Sequence, residues 1–373
     1  MQHDVSILVI GAGPAGLSLG YELARRRLDY VILEKAQDVG DSWARMPRNM
    51  RMNSPWSVNR LPGTELRLRE ANRLKSRREF HSYLVHYAAA KSLRVRTNTS
   101  VRQVGCLGGG GFVVLTDDDQ LSARLVVNAT GYFCNPHVPA YPGMDSTPIR
   151  QISVTEYVDP QNVARLVGEH HGNILIVGKR ITAGQLALEL HDAGFAVTIS
   201  GRTPIEFGMD LNWKQYLFPV YYPVEKVLLR IDKFKHHSSF HPMHGGRIRR
   251  LIDSGVIQLV PAIVRFDGAR VGFEDGRSLK FDGVIWATGY RPALAHLRTL
   301  VPTCPKTGLP TLNWMESSEV PHLYFLGLDQ QVDFTSRMLR GIRRDAVHLA
   351  KHLDQVLSTL TSPKNEHVSC HSF

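Results

Sequence analysis

The segment Ile7-Leu8-Val9-Ile10-Gly11-Ala12-Gly13-Pro14-Ala15-Gly16, followed by the apolar run Tyr30-Val31-Ile32-Leu33 and the acid Glu34, is compatible with few folds. It reads as a strand, a G-x-G-x-x-G turn, a helix over Leu17 to Arg27, a second strand and an acid at that strand's end. Each glycine has a mechanical role in such a turn. Gly11 permits the tight bend, Gly13 lets backbone approach a pyrophosphate, and Gly16 lets the helix pack close to the strand. Pro14 and Ala15 lie on the phosphate side of the turn, where the helix N-terminus directs positive charge at an anion. Glu34, with Lys35 beside it, is placed to accept hydrogen bonds from ribose hydroxyls. The motif alone leaves FAD and NAD equally open.

The same plan recurs at Asn173-Ile174-Leu175-Ile176-Val177-Gly178-Lys179-Arg180-Ile181-Thr182-Ala183-Gly184. A helix is expected over Gln185 to Ala193, with Gly194 as its C-terminal cap. A strand over Ala196 to Ser200 should follow. In the first unit the acid stands 23 positions after the first glycine; here that offset reaches Gly201, followed by Arg202. Loss of the acid and gain of an arginine suits a 2′-phosphate, so this unit leans to NADPH. Arg180 replaces the middle glycine and should crowd the pyrophosphate path unless its side chain turns outward or pairs with a phosphate.

Two further segments match each other. Leu125-Val126-Val127-Asn128-Ala129-Thr130-Gly131-Tyr132 and Gly283-Val284-Ile285-Trp286-Ala287-Thr288-Gly289-Tyr290 are strands ending in Ala-Thr-Gly-Tyr. Each follows a hairpin-like stretch, and Gly131 and Gly289 mark turns beside a cofactor or a domain crossing. The chain thus contains two copies of one plan, a more specific signal than either motif alone.

The limits set by composition agree. A chain of 373 residues can hold two or three domains. No apolar run approaches the ~20 residues that span a bilayer, and a strand pattern begins almost at once, so no signal peptide is expected. Cys106, Cys134, Cys304 and Cys370 are scattered without a C-x-x-C, which argues against a disulfide scaffold, a zinc site or a dithiol centre and for a reducing, cytoplasmic setting. No metal site is expected. The net charge of +11 is read as a basic surface with arginines for anionic cofactors. Its basic clusters lack the interleaved aromatics of an RNA-binding module, so no nucleic-acid partner is expected.

With both nucleotide turns and both Ala-Thr-Gly segments in view, the chain resembles the two-dinucleotide-binding-domain flavoproteins, and within them the flavin-containing monooxygenase-like branch. Val39-Gly40-Asp41-Ser42-Trp43 resembles the G-x-x-W run that follows the FAD-ribose acid. Met52-Asn53-Ser54-Pro55 resembles the T-N-x-P segment beside the flavin ring, with Met52 in place of Thr. The resemblance implies FAD at the first turn and NADPH at the second. It implies Ser42, Trp43, Met52, Ala129, Thr130, Gly131, Ala287, Thr288 and Gly289 around the cofactors, and Asn53 as the polar group nearest flavin C4a. The alternative for Asn53 is a capping role before Pro55. Asp329, in Gly327-Leu328-Asp329, is a ribityl-side contact or a cap, and a helix over Met338 to Asp354 should aim its N-terminus at the flavin pyrimidine.

The resemblance implies a FAD-dependent, NADPH-linked monooxygenase that takes one oxygen from O₂ through a flavin C4a-hydroperoxide to a small organic substrate, at N, S or beside a ketone. The alternatives are an oxidase or reductase lacking a dithiol, and a flavin-binding redox sensor. The family's F-x-G-x-x-x-H-S-x-x-Y fingerprint is reduced here to Tyr157, with Ser153 at the histidine position. An aromatic insertion carrying Trp213, Tyr216, Phe218, Tyr221 and Tyr222 is read as a substrate lid, and Val227, Leu228 and Ile231 as packed on their own domain, with lipid contact as the alternative. A homodimer is compatible with all of this. The expected fold is α/β, with two Rossmann-like, three-layer ββα domains. A discontinuous FAD domain takes residues 1–150 and 283–373, and an NADPH-type domain occupies 151–282.

Overall fold

The structure, a computed structural model, describes residues 3–168, 171–235 and 242–360. The chain opens with β1 (Val5–Ile10), α1 (Pro14–Arg25) and β2 (Tyr30–Leu33). Both faces of β1 are apolar: Ile7 and Val9 enter one core, Val5, Leu8 and Ile10 another. This is the pattern of a central parallel strand covered on both sides. The first helix begins at Pro14, earlier than the Leu17 expected, because proline's fixed φ and missing N–H suit a first helical position. Two short helices, α2 (Asp41–Ala44) and α3 (Trp56–Asn59), precede α4 (Arg77–Ala90). Next come β3 (Val95–Arg96), the hairpin β4 (Val101–Cys106) and β5 (Phe112–Thr116), and the long β6 (Gln120–Asn128).

The chain then enters its second unit. Here β7 (Arg150–Ser153), α5 (Pro160–Val167), β8 (Asn173–Val177), α6 (Ile181–Asp192) and β9 (Ala196–Ser200) repeat the opening plan. The pair β10 (Phe207–Gly208) and β11 (Met243–His244) brackets α7 (Leu211–Leu228) and α8 (Asp232–Lys235). After α9 (Arg247–Asp253) and β12 (Gln258–Val260), a three-stranded meander follows: β13 (Ile263–Asp267), β14 (Arg270–Phe273) and β15 (Ser278–Lys280). Then come β16 (Gly283–Trp286), β17 (Leu312–Asn313), β18 (Glu316–Ser317), β19 (Leu323–Phe325) and α10 (Leu339–Leu360).

Two main sheets result. The larger runs β17-β18-β19-β6-β1-β2-β3, with the β4–β5 hairpin joined through β6. Helices α1, α4 and α10 cover one face; Val104, Phe112 and Val114 of the hairpin close over the other with Leu294 and Leu297. The second sheet runs β12-β9-β8-β16-β7, with α5, α6 and α9 on one face and the meander on the other. Both are α/β layers of the expected kind.

The domain boundary differs from expectation. The segment Gly283–Trp286 was expected to open the return into the first domain, yet β16 pairs with β8 and β7 in the second sheet. Its Ile285 and its Val284 and Trp286 complete the two cores of that unit. It is the counterpart of β6 beside β1, so the return crossing follows Trp286.

The insertion also differs. Its aromatics lie on a helix, α7, and Val227 and Ile231 are 59% and 51% exposed instead of packed on their own domain. The helix rests on α3 and α10 of the first domain, because its Glu225 and Tyr222 bond arginines of α10. Among the described residues no helix is long and apolar enough to cross a membrane.

Candidate cofactor cleft

The two nucleotide turns share the same backbone hydrogen bonds. In the first, Gly11 N donates to Leu33 O at 2.8 Å and Ala129 N to Ile10 O at 2.8 Å. In the second, Gly178 N donates to Ser200 O and Ala287 N to Val177 O, both at 2.9 Å. Gly11 and Gly178 have positive φ (101° and 153°), and a Cβ on either would lie 2.9 Å from Ala129 O or 2.4 Å from Ala287 O. Each first glycine is therefore required by contact with the alanine of an Ala-Thr-Gly-Tyr segment. Gly16 is required too: its Cβ would sit 1.9 Å from Gly11 O. In the second unit Gly184 stands one residue later and faces Met243; buried Ala183 holds the place of Gly16.

The middle positions concern the ligand. A Cβ on Gly13 would meet nothing within 4 Å, so its lack of a side chain keeps open space above the turn. Gly13 and Arg180 have similar extended backbones (φ −78° and −111°), so an arginine here is unstrained. Arg180 is exposed. Neither α1 nor α6 has a side-chain cap or an acid in its first turn. By contrast, α4 carries a complete Ser76–Glu79 capping box and α5 is capped by Asp159. At both nucleotide turns the first-turn N–H groups of the helix are thus left without a side-chain acceptor, as anion binding requires. Thr182 lies half-buried in the first turn of α6.

Glu34 is buried and accepts from Ala12 N at 2.8 Å and Ala36 N at 3.1 Å, which fixes the carboxylate at the end of β2 beside the turn. Lys35 is exposed. Gly40 N donates to Ala12 O at 2.9 Å and so ties the start of α2, with half-buried Ser42 and Trp43, to the same turn. The Trp43 ring meets Phe80 edge-on at 4.4 Å and Phe133 at 6.2 Å; Phe133 in turn meets Tyr290 at 5.2 Å. This aromatic run links the first unit to both Ala-Thr-Gly-Tyr segments.

Asn53 is half-buried, and its amide makes no hydrogen bond within the described residues. It does not cap α3, whose N-cap is Pro55 without a side-chain bond. The loop presenting it is clamped by Asn59, a residue that sequence reasoning missed. Asn59 Nδ2 donates to Ser54 O at 2.7 Å, and Ser54 Oγ donates to Asn59 Oδ1 at 3.1 Å. Met52 is buried in the core behind.

At the far end, Asp329 N donates to Tyr132 Oη at 2.8 Å, and Asp329 Oδ2 accepts from Arg337, whose guanidinium lies over the Tyr132 ring. Burial and the Asp329 carboxylate hold the Tyr132 phenol well above its ordinary pKa, so it stays neutral. Asp329 Oδ1 is buried without a hydrogen-bond partner among the described residues, an acceptor left for a hydroxyl. The loop before α10 presses on the helix so closely that a Cβ on Gly341 would lie 2.0 Å from Thr335 O. The helix starts at Leu339 and runs to Leu360, six residues beyond the end expected.

At the second turn, Arg202 is exposed on the loop after β9. Burial first, then the charges of Arg291 and Arg202, depress the pKa of His137, so both guanidiniums lie within electrostatic reach of that ring. Arg291 was not foreseen; it follows the second Ala-Thr-Gly-Tyr directly. Ser153, at the fingerprint's histidine position, is occupied locally: its N and Oγ both donate to Glu156 Oε2 at 2.7 Å.

A profile described as "Pyridine nucleotide-disulphide oxidoreductase" matches residues 8–327. The chain belongs to this family. Its relatives fall in the monooxygenase-like branch expected from the motifs, and it is a flavin-dependent oxidoreductase. It is 27% identical to an uncharacterized CzcO-like oxidoreductase of Geobacillus kaustophilus, across 94% of this chain and 98% of that one. It is 26% identical to an indole-3-pyruvate monooxygenase of Oryza sativa subsp. japonica, across 93% and 90%. The solved flavin-containing monooxygenase from Stenotrophomonas maltophilia superimposes with a TM-score of 0.77 at 26% identity, covering 95% and 99%. The family name's disulphide chemistry has no dithiol here, since the sequence holds no C-x-x-C.

Proposed function

We propose that this protein is an NADPH-linked, FAD-dependent monooxygenase that inserts one atom of O₂ into a small organic substrate at nitrogen, sulfur or a ketone. The observation that carries the reading is the pair of matching, uncapped nucleotide turns joined by the two Ala-Thr-Gly-Tyr segments, in a chain without a dithiol. The similarity to the flavin-containing and indole-3-pyruvate monooxygenases supports it.

FAD fits the first unit. The open space at Gly13 admits a pyrophosphate, Glu34 offers a fixed carboxylate to the ribose, and Asp329 Oδ1 is an unmatched acceptor for a ribityl hydroxyl. NADPH fits the second, with the α6 N-terminus for the pyrophosphate and Arg202 and Arg291 for the 2′-phosphate. Bound FAD would supply hydride acceptance and oxygen activation, chemistry that no side chain here provides. The chain supplies orientation: Asn59 holds the Asn53 loop, and the Asn53 amide keeps its hydrogen-bonding capacity for a polar group in the cleft.

The test is anaerobic mixing of the FAD-containing protein with NADPH, followed by air and a panel of an amine, a thioether and a ketone. NADPH should bleach the flavin absorbance, and one panel member should gain a single oxygen by mass spectrometry. Flavin that NADPH leaves oxidised overturns the reading.

A further inference from the structure

The helix α7 is built inside out. Its inward face is held by charge: buried Glu225 forms a two-pronged ion pair with Arg340 (Nε to Oε2 2.7 Å, Nη2 to Oε1 2.8 Å), the Arg340 guanidinium lies over the Phe218 ring, and Tyr222 Oη accepts from Arg343 at 3.0 Å. Its outward face is apolar. Trp213, Tyr216, Leu217, Val220, Tyr221, Val224 and Val227 are all exposed, Trp213 by 68% and Val220 by 73%. Spaced at three and four residues, they form one stripe along an 18-residue helix of about 27 Å. An apolar stripe of this kind on a soluble surface marks an interaction site.

The surroundings of the stripe select its occupant. Between Met209 and Lys235 the sequence holds five Lys and Arg against three Asp and Glu, and one of those three, Glu225, is neutralised by Arg340. Lys226 and Arg230 are exposed. Trp and Tyr rings beside Lys and Arg suit a bilayer's headgroup level, where apolar bodies sink and polar tips and cations stay wet. A second copy of a chain with net charge +11 would bring like charges together. Residues 361–373 offer only Val368 and Phe373 as sizeable apolar side chains, too few to cover the stripe.

We infer that α7 is an interfacial helix that docks this protein on an anionic lipid surface. The chain that follows the helix returns to the first domain: Phe334 N, in the loop before α10, donates to the carbonyl of Lys235, at the end of α8, at 2.9 Å. The Glu225–Arg340 pair holds the helix to the body of the enzyme, so that its apolar side faces away from it.

The experiment sediments full-length, FAD-containing protein with vesicles of phosphatidylcholine alone or mixed equally with phosphatidylglycerol. Pelleting with the mixed vesicles is expected, weakened by salt and reduced ~10-fold or more by K226E/R230E. The triple variant W213S/V220S/V224S should lose pelleting while keeping its FAD content and melting temperature, because those side chains touch solvent in the free protein. No pelleting on the anionic vesicles, or equal pelleting on both, overturns the inference. So does a concentration-dependent dimer that the serine variant abolishes in the absence of lipid binding, since the stripe would then belong to a second copy.

Discussion

Thr130 and Thr288 occupy equivalent places in the two Ala-Thr-Gly-Tyr segments, and each donates its hydroxyl to the opposite crossing strand. Thr130 Oγ1 reaches Ala293 O at 2.8 Å, and Thr288 Oγ1 bonds His137 O. Backbone bonds from Ala293 N to Gly131 O (3.0 Å) and from His137 N to Gly289 O (2.9 Å) complete a clasp where the chain leaves and re-enters the first domain. These threonines, assigned from the motif to cofactor contact, have hydroxyls engaged in joining the domains.

Replacing both threonines by valine should therefore loosen the clasp. Each lost bond costs about 1 kcal/mol, and the double variant should melt at a lower temperature. Its FAD affinity should change little, while NADPH-dependent flavin reduction slows. A variant with weakened FAD binding and unchanged stability would return the hydroxyls to the cofactor.

Gly13→Val separates ligand space from folding space. The position has an ordinary extended φ and nothing within 4 Å of a Cβ, so the apoprotein should remain folded. FAD affinity should fall ~100-fold or more, since each 1.4 kcal/mol of lost contact is tenfold. Gly11→Val, where a Cβ meets Ala129 O at 2.9 Å, should instead fail as a fold. Fluorescence titration of FAD and circular dichroism check the pair.

Arg202→Ala should raise KM for NADPH by ~10–100-fold and leave KM for NADH near its starting value, because a charge-assisted phosphate contact is worth roughly 1.5–3 kcal/mol. Steady-state flavin reduction with both nucleotides reads this directly. Equal loss with both would remove Arg202 from the 2′-phosphate.

His296 gives the fold a pH dependence. It is buried beneath the first Ala-Thr-Gly segment, with Nε2 2.9 Å from Asn128 Oδ1, and burial depresses its pKa to about 4. A histidine depressed when folded takes its proton more readily when unfolded, so stability is full above the ordinary value near 6.5 and falls as pH drops toward 4. The loss approaches about 3 kcal/mol across that window. Denaturant titrations at pH 7.5 and 5 should show it, and His296→Asn should flatten the difference.

Arg340→Leu leaves Glu225 buried and unpaired and should cost about 3 kcal/mol. The double replacement Glu225→Leu/Arg340→Leu should recover much of that loss, because a buried ion pair yields little net stability over an apolar pair. Melting temperatures of the two variants and the wild type test this. A double variant no more stable than the single would give the pair a larger share in holding α7.

What the sequence determined is local and repeated. The two strand-turn-helix units, the acid Glu34 and the arginine Arg202 after the second strand were legible because a nucleotide turn sets backbone contacts within some twenty residues. Gly11, Gly16 and Gly178 are glycines for reasons the folded chain makes explicit, a carbonyl where a Cβ would stand. The place of β16 was legible in principle, since applying the duplication strictly makes it the partner of β8. The tertiary structure alone decided what lies far apart in sequence. Arg291 and Arg202, 89 positions apart, both reach His137 electrostatically only through the folded chain. Asn59 clamps the Asn53 loop through a turn that no periodicity marks. The apolar spacing of α7 announced a helix with one apolar face, but periodicity does not say what that face meets. Arg340, 115 residues away, drew Glu225 inward and turned the apolar side out, since a carboxylate buried beside a guanidinium is tolerable and one buried alone is not.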